Sequence, residues 1–143
     1  MTSRYGPAET ARPPLYDDPP MPRLTLTEIV LDAPDAHVLA DFYQRLLGGS
    51  IGKDESDWVT LRPAEGDVTL AFASEPEYVP PTWPSRPDRQ QMMIHLDFLV
   101  EDLAGAVAHA AALGAQEATY QPQADVRVML DPAGHPFCLW VEP

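Results

Sequence analysis

At 143 residues the chain has room for one ordinary globular domain, or two small halves on a common core, and none for a catalytic domain beside a regulatory one. Hydrophobic residues at 45% supply that core and exclude wholesale disorder, while 22 Asp and Glu against 9 Lys and Arg, a net charge of -13, oppose binding to phosphate backbones or anionic lipid. One cysteine, Cys138, excludes an internal disulfide framework, and no apolar run or leader pattern suggests a membrane span or export. The expectation is a cytoplasmic protein with small-molecule partners, cationic or metal-complexed, and neither nucleic acid nor membrane.

The chain opens with Pro7, Pro13, Pro14, Pro19, Pro20 and Pro22. Proline fixes φ and lacks an amide donor, so residues 1–23 read as a disordered or extended tail, and a single domain is expected over 24–142. Its first module, 24–74, starts with an alternating strand from Leu24 to Leu31. Asp35 after Pro34 is a helix N-cap, Leu39, Phe42, Tyr43 and Leu46 form one apolar stripe, and Gly48 and Gly49 end the helix. Trp58 to Leu61 and Val68 to Phe72 flank the turn Pro63-Ala64-Glu65-Gly66, a hairpin signal.

A linker, 75–91, follows with Pro76, Pro80, Pro81, Pro84 and Pro87, and its Tyr78 and Trp83 favour packing over free motion. The second module, 92–142, repeats the order of the first. A strand from Met93 to Val100 leads to Asp102 as N-cap, and Leu103, Val107, Ala110 and Ala111 make the helix face before Leu113 and Gly114 close it. Strands Val126 to Leu130 and Pro136 to Val141 surround the turn Asp131-Pro132-Ala133-Gly134. Glu28 aligns with His95, Asp35 with Asp102, and Leu61-Arg62-Pro63-Ala64 with Leu130-Asp131-Pro132-Ala133, so the chain reads as two copies of one βαβββ unit.

Half a sheet with a helix on one face cannot close a core, so the fold class is α+β, with the two modules forming curved mixed sheets around a shared cup. Strand parity assigns the inward side chains. If Ile29 and Leu31 pack on the first helix, Glu28, Val30 and Asp32 face the cup, and if Leu96, Phe98 and Val100 pack on the second, His95 and Asp97 face it too. Such polar groups cost about 1–3 kcal/mol each if buried without partners, so the cluster is mutually bonded, wet, or filled by ligand. Glu28 and His95 are acid/base candidates or a hydrogen-bonded pair on the cup floor. Tyr78 and Trp83 serve as walls at the mouth or as linker packing, and Trp58 joins Asp32, Asp97 and Cys138 among the ligand-binding candidates. His135 reads as a cap on backbone groups, and His37 and His109 as solvated.

The βαβββ duplication, the run Ile29-Val30-Leu31-Asp32-Ala33-Pro34-Asp35, the segment His95-Leu96-Asp97-Phe98-Leu99-Val100-Glu101-Asp102-Leu103 and the closing Asp131-Pro132-Ala133-Gly134-His135-Pro136-Phe137-Cys138 resemble the vicinal oxygen chelate superfamily. Within it the chain is most similar to the glyoxalase-like, bleomycin-resistance-like branch, over roughly Leu24 to Glu142. The resemblance implies the fold and leaves the activity open, since lyases, epimerases, dioxygenases, thiol transferases and antibiotic-sequestering proteins share it. Metal-dependent members take a ligand from the first and last strand of each unit. Here those positions are Glu28 and His95, then Leu70 and Cys138, and Leu70 offers no donor. The expectation is therefore a cup without a complete metal site and without cofactor, the alternative being a divalent ion (Zn, Ni, Mn or Fe) on Glu28, His95 and Cys138. Cys138 has a second reading, as a small packed residue.

Two functions follow. One is a small-molecule-binding protein whose acidic cup holds a cationic ligand. The other is a metal-dependent lyase, isomerase or dehydratase of glyoxalase type in which Glu28 or His95 moves a proton beside a carbonyl. Ring-cleaving dioxygenase chemistry fits least, since it needs two His and a carboxylate on iron. An open cup edge also predicts a homodimer.

Overall fold

The computed structural model describes residues 20–143, so most of the tail expected over 1–23 lies outside the described residues. The element order is β1 (Ile29–Ala33), α1 (Ala36–Leu47), β2 (Ser50–Asp54), β3 (Trp58–Arg62), β4 (Leu70–Ser74), β5 (Leu96–Leu99), α2 (Leu103–Ala112), β6 (Gln116–Glu117), β7 (Val126–Leu130) and β8 (Pro136–Trp140). Two four-stranded mixed sheets result, ordered β1-β4-β3-β2 and β5-β8-β7-β6, the same topology twice. In each, the first strand runs parallel to the last and the remaining pairs are antiparallel.

Local physics accounts for the first module. Asp35 is extended at φ -139° and its carboxylate accepts from the His37 amide at 2.9 Å, satisfying one orphan donor of α1. Leu39, Phe42 and Tyr43 of the stripe are fully buried. Gly48 ends the helix at φ +69°, a left-handed conformation that side chains resist. Leu31 and Ala33 of β1, Val59 and Leu61 of β3, and Leu70 and Phe72 of β4 are buried against α1, while Val30 and Asp32 are exposed on the opposite face.

The second module repeats the scheme more thinly. Asp102 caps α2 by accepting from Gly105 at 3.1 Å. Leu103, Ala106, Val107, Ala110 and Leu113 pack inward, whereas Ala111, expected on this face, is exposed. At 3.6 residues per turn the packed arc runs from Ala106 through Ala110 and Leu103 to Val107, and Ala111 falls beyond its edge.

The modules share one core. Phe42 and Tyr43 of α1 both reach Phe137 on β8, each with ring centroids at 6.1 Å, and Tyr43 stacks on Phe72 at 5.7 Å. Aromatic pairs of this kind add about 0.5–1.5 kcal/mol beyond area burial.

Two expectations need correction. The strands expected from Leu24 and Met93 start at Ile29 and Leu96, because their neighbours β4 and β8 begin at Leu70 and Pro136 and leave the upstream residues no ladder partner. Strands β2 and β6 had no signal of their own. Ser50–Asp54 has one large apolar residue, Ile51, and Gln116–Glu117 is too short to show a period.

Candidate functional site

The turn after β7 organises the junction between the modules. Asp131 is only 4% exposed, and its Oδ1 accepts from the amides of Ala133 at 2.9 Å and His135 at 3.0 Å. Its Oδ2 accepts from the Tyr43 hydroxyl at 2.7 Å, which bolts α1 of the first module to the β7–β8 turn of the second. Burial pushes the Asp131 carboxyl above its ordinary range, opposed by His135 and by its three hydrogen-bond donors. Burial and the Asp131 charge raise the Tyr43 hydroxyl well above 10.0, so the phenol keeps its proton.

His135 extends the same junction. Its Nε2 lies 2.6 Å from the carbonyl of Asp32 on β1, and since a carbonyl only accepts, Nε2 carries the proton. The Tyr78 hydroxyl donates to the Ala133 carbonyl at 2.7 Å and lies 3.3 Å from His135 Nε2. Burial, with Asp131 and Asp32 nearby, raises the Tyr78 hydroxyl too. Connection, first strand and final hairpin are thereby tied at one point.

Beside this point is a cavity of about 360 Å³. Val30, Leu31 and Asp32 of β1 form one wall and Met93 and Ile94 another, with His135 at the junction. The connection supplies the rest, including Glu75, Glu77, Tyr78, Gln90 and Gln91. Glu75 is fixed there by its amide bond to the Ala33 carbonyl at 2.8 Å, and the Tyr78 amide returns to the Glu75 carbonyl at 3.1 Å. Three carboxylates, Asp32, Glu75 and Glu77, thus meet an apolar wall, and no Lys or Arg lines the space among the described residues. Such a hollow favours a cation and gives its apolar part a surface to bury on.

Of the residues singled out from sequence, Asp32 and Tyr78 line this cavity. Trp83 does not: its indole donates to the Tyr120 carbonyl at 3.1 Å and its ring packs on Tyr120 at 6.0 Å, which makes it linker packing. Trp58 lies on β3 opposite Ala73, and its neighbour Val59 faces the core. Glu28, half-buried ahead of β1, and His95, ahead of β5, are also absent from the lining. Each precedes the first paired residue of its strand, so no ladder aims the two at one another. His95 instead meets Asp97 and Cys138: His95 Nε2 is 3.0 Å from Asp97 Oδ1, and the ligating atoms of all three lie within 4.8 Å of one another.

This bears on the metal centre that the resemblance implies. Leu70, in the last strand of the first module, is 3% exposed and has no donor atom, and Glu28 is not part of the converging group. The residues present do not fit a centre bridging the two modules.

Sequence reasoning missed Glu75, Glu77, Gln90 and Gln91, which sit in a segment read only as a linker, and the Tyr43–Asp131 bond. The signal for the junction was present in Asp131-Pro132-Ala133-Gly134-His135, an aspartate ahead of a tight turn with Gly134 at φ +89°. His37 bonds Asp54 at 2.7 Å on the surface, and His109 reaches the Leu46 carbonyl at 3.2 Å.

The duplicated unit with two open mixed sheets defines the vicinal oxygen chelate fold. The chain belongs to the family of glyoxalase-like domains, which matches residues 28–140. No curated protein matches the sequence. Among solved structures it is similar to a glyoxalase/bleomycin resistance protein/dioxygenase family enzyme from Burkholderia phytofirmans PsJN, with a TM-score of 0.61 and 16% identity over 80% of this chain and 96% of that one. It is also similar to TnmS3, an antibiotic binding protein from Streptomyces sp. CB03234 (TM-score 0.57, 16% identity, 86% of this chain, 99% of that one). A third is lactoylglutathione lyase from Agrobacterium tumefaciens (TM-score 0.54, 19% identity, 85% and 96%). At these identities the likeness establishes the fold. No helix among the described residues is long and apolar enough to cross a membrane.

Proposed function

We propose that this glyoxalase-like protein is a small-molecule-binding protein whose ligand is an amphipathic cation. The observation that carries this reading is the charge of the cavity: among the described residues Asp32, Glu75 and Glu77 line a space of about 360 Å³ that has no Lys or Arg, against an apolar wall of Val30, Met93 and Ile94. The likeness to TnmS3, an antibiotic binding protein on the same fold, lends support. The alternative, a metal-dependent lyase, isomerase or dehydratase acting through Glu28 and His95, has weaker support, because neither residue lines the cavity.

The test is a thermal-shift and calorimetric screen of aromatic cations against anionic compounds of the same shape. A cation at 100 times its dissociation constant stabilises by about 2.7 kcal/mol, and the combined variant Asp32→Asn, Glu75→Gln, Glu77→Gln abolishes the shift. Equal response to the anions, or a shift that survives the triple variant, refutes the reading.

The same reading takes the protein to be a cytoplasmic homodimer. Supporting the dimer, β1 and β5 are edge strands, and Leu24, Leu26, Met93, Ile94 and Leu99 near them are exposed. Sedimentation of the full chain at twice the monomer mass, reverting to monomer in Leu26→Asp with Leu99→Asp, is expected, and a wild-type monomer at micromolar concentration refutes it. Supporting the location, the lone cysteine suits a compartment that keeps thiols reduced.

A further inference from the structure

We propose that His95, Asp97 and Cys138 form a metal site built by the second module alone, suited to a borderline-soft divalent ion such as Zn(II). The strands set the geometry. Asp97 of β5 and Cys138 of β8 are direct partners in a parallel ladder, and His95, two residues before Asp97, falls on the same face. Their ligating atoms lie within 4.8 Å of one another. Tetrahedral zinc holds N, O and S at about 2.0–2.3 Å, which places its ligands roughly 3.3–3.8 Å apart, so side-chain rotation closes the site with the ladder intact.

Access and chemistry agree with the geometry. The His95 and Asp97 side chains are 35% and 33% exposed, so an ion enters from solvent. The thiolate selects zinc-like ions over Mg(II) and Ca(II), which prefer all-oxygen shells. Three protein ligands leave a fourth position for water or an external ligand. Binding displaces the Cys138 thiol proton, so affinity rises with pH. This differs from a centre bridging the modules, since it uses Asp97 and dispenses with Glu28 and the buried Leu70. It stands apart from the ligand reading of the cavity, whose lining contains none of the three.

The experiment is titration of the untagged full chain with Zn(II) by calorimetry and with Co(II) by absorption spectroscopy. One ion per chain is expected, with a thiolate-to-cobalt charge-transfer band that disappears in Cys138→Ser and after reversible methanethiolation of the wild type. His95→Ala and Asp97→Asn weaken binding by about tenfold or more, a loss of the size known for ligand and supporting-shell changes. Glu28→Gln binds as the wild type does, and excess Mg(II) does not compete. Absence of stoichiometric binding, a cobalt spectrum without the thiolate band, or loss of binding in Glu28→Gln overturns the proposal. None of these outcomes depends on the cationic-ligand screen, so the two ideas fail separately.

Discussion

Removing the Tyr43 hydroxyl isolates the bond that joins the modules. In Tyr43→Phe the ring stays in its stack with Phe72 and against Phe137, but Asp131 Oδ2, buried with its residue 4% exposed, loses its 2.7 Å donor. Hydrogen bonds to charged groups contribute about 1.5–3 kcal/mol, and a stranded acceptor bears its full desolvation cost. At about 3 °C per kcal/mol for a chain of this size, the melting temperature falls by about 5–10 °C. The deficit also depends on pH. Because burial raises the Asp131 pKa in the folded state, its contribution to stability is fully present below the unfolded carboxylate range and is lost as pH rises through the folded value. Tyr43 is one of the groups holding that pKa down, so its removal raises the value further. The Tyr43→Phe deficit is therefore greatest near neutrality and shrinks on acidification, and in an Asp131→Asn background it no longer varies with pH. Thermal melts of the four proteins of this double-mutant cycle, at neutral and acid pH, measure both effects. A Tyr43→Phe protein that melts with the wild type, or a deficit equal at both pH values, refutes the reasoning.

Other perturbations test the frame around this bond. Phe137→Ala empties a fully buried position that contacts Phe42, Tyr43 and Phe98, and should cost about 3–5 kcal/mol in denaturant unfolding. Gly49→Ala drives a Cβ into the Arg62 carbonyl at a left-handed φ of +109°, whereas Gly114→Ala, at φ +111°, meets open space; the first should lower the denaturation midpoint more than the second. Asp35→Ala removes the cap of α1 and should cost about 1 kcal/mol, with Asp35→Ser recovering most of it.

The parts of the fold that were legible share a short range. Asp35 and Asp102 announce caps because an N-cap bond spans two or three residues, and Leu39-Phe42-Tyr43 announces a buried face because a helix repeats every 3.6. The turn Pro63-Ala64-Glu65-Gly66 marked the β3–β4 hairpin for the same reason. Strand starts were not legible, since a strand ends where its partner does, and the partner of Ile29 is Leu70. For the candidate site, parity puts Asp32 on the face away from α1, where it lines the cavity, whereas the partners that Glu28 and His95 meet depend on how the chain packs beyond the strand ladders, which no local period records.

What the sequence determined alone was therefore the duplicated βαβββ unit, its caps and its inward faces, because each rests on contacts within one helical turn or one strand pair. Only the tertiary structure decided which groups meet. Tyr43 finds Asp131 across 88 residues, Asp32 joins Glu75 and Glu77, and His95 turns to Asp97 and Cys138, because these meetings follow from the packing of α1 on Phe137, the path of the connection and the β5–β8 register.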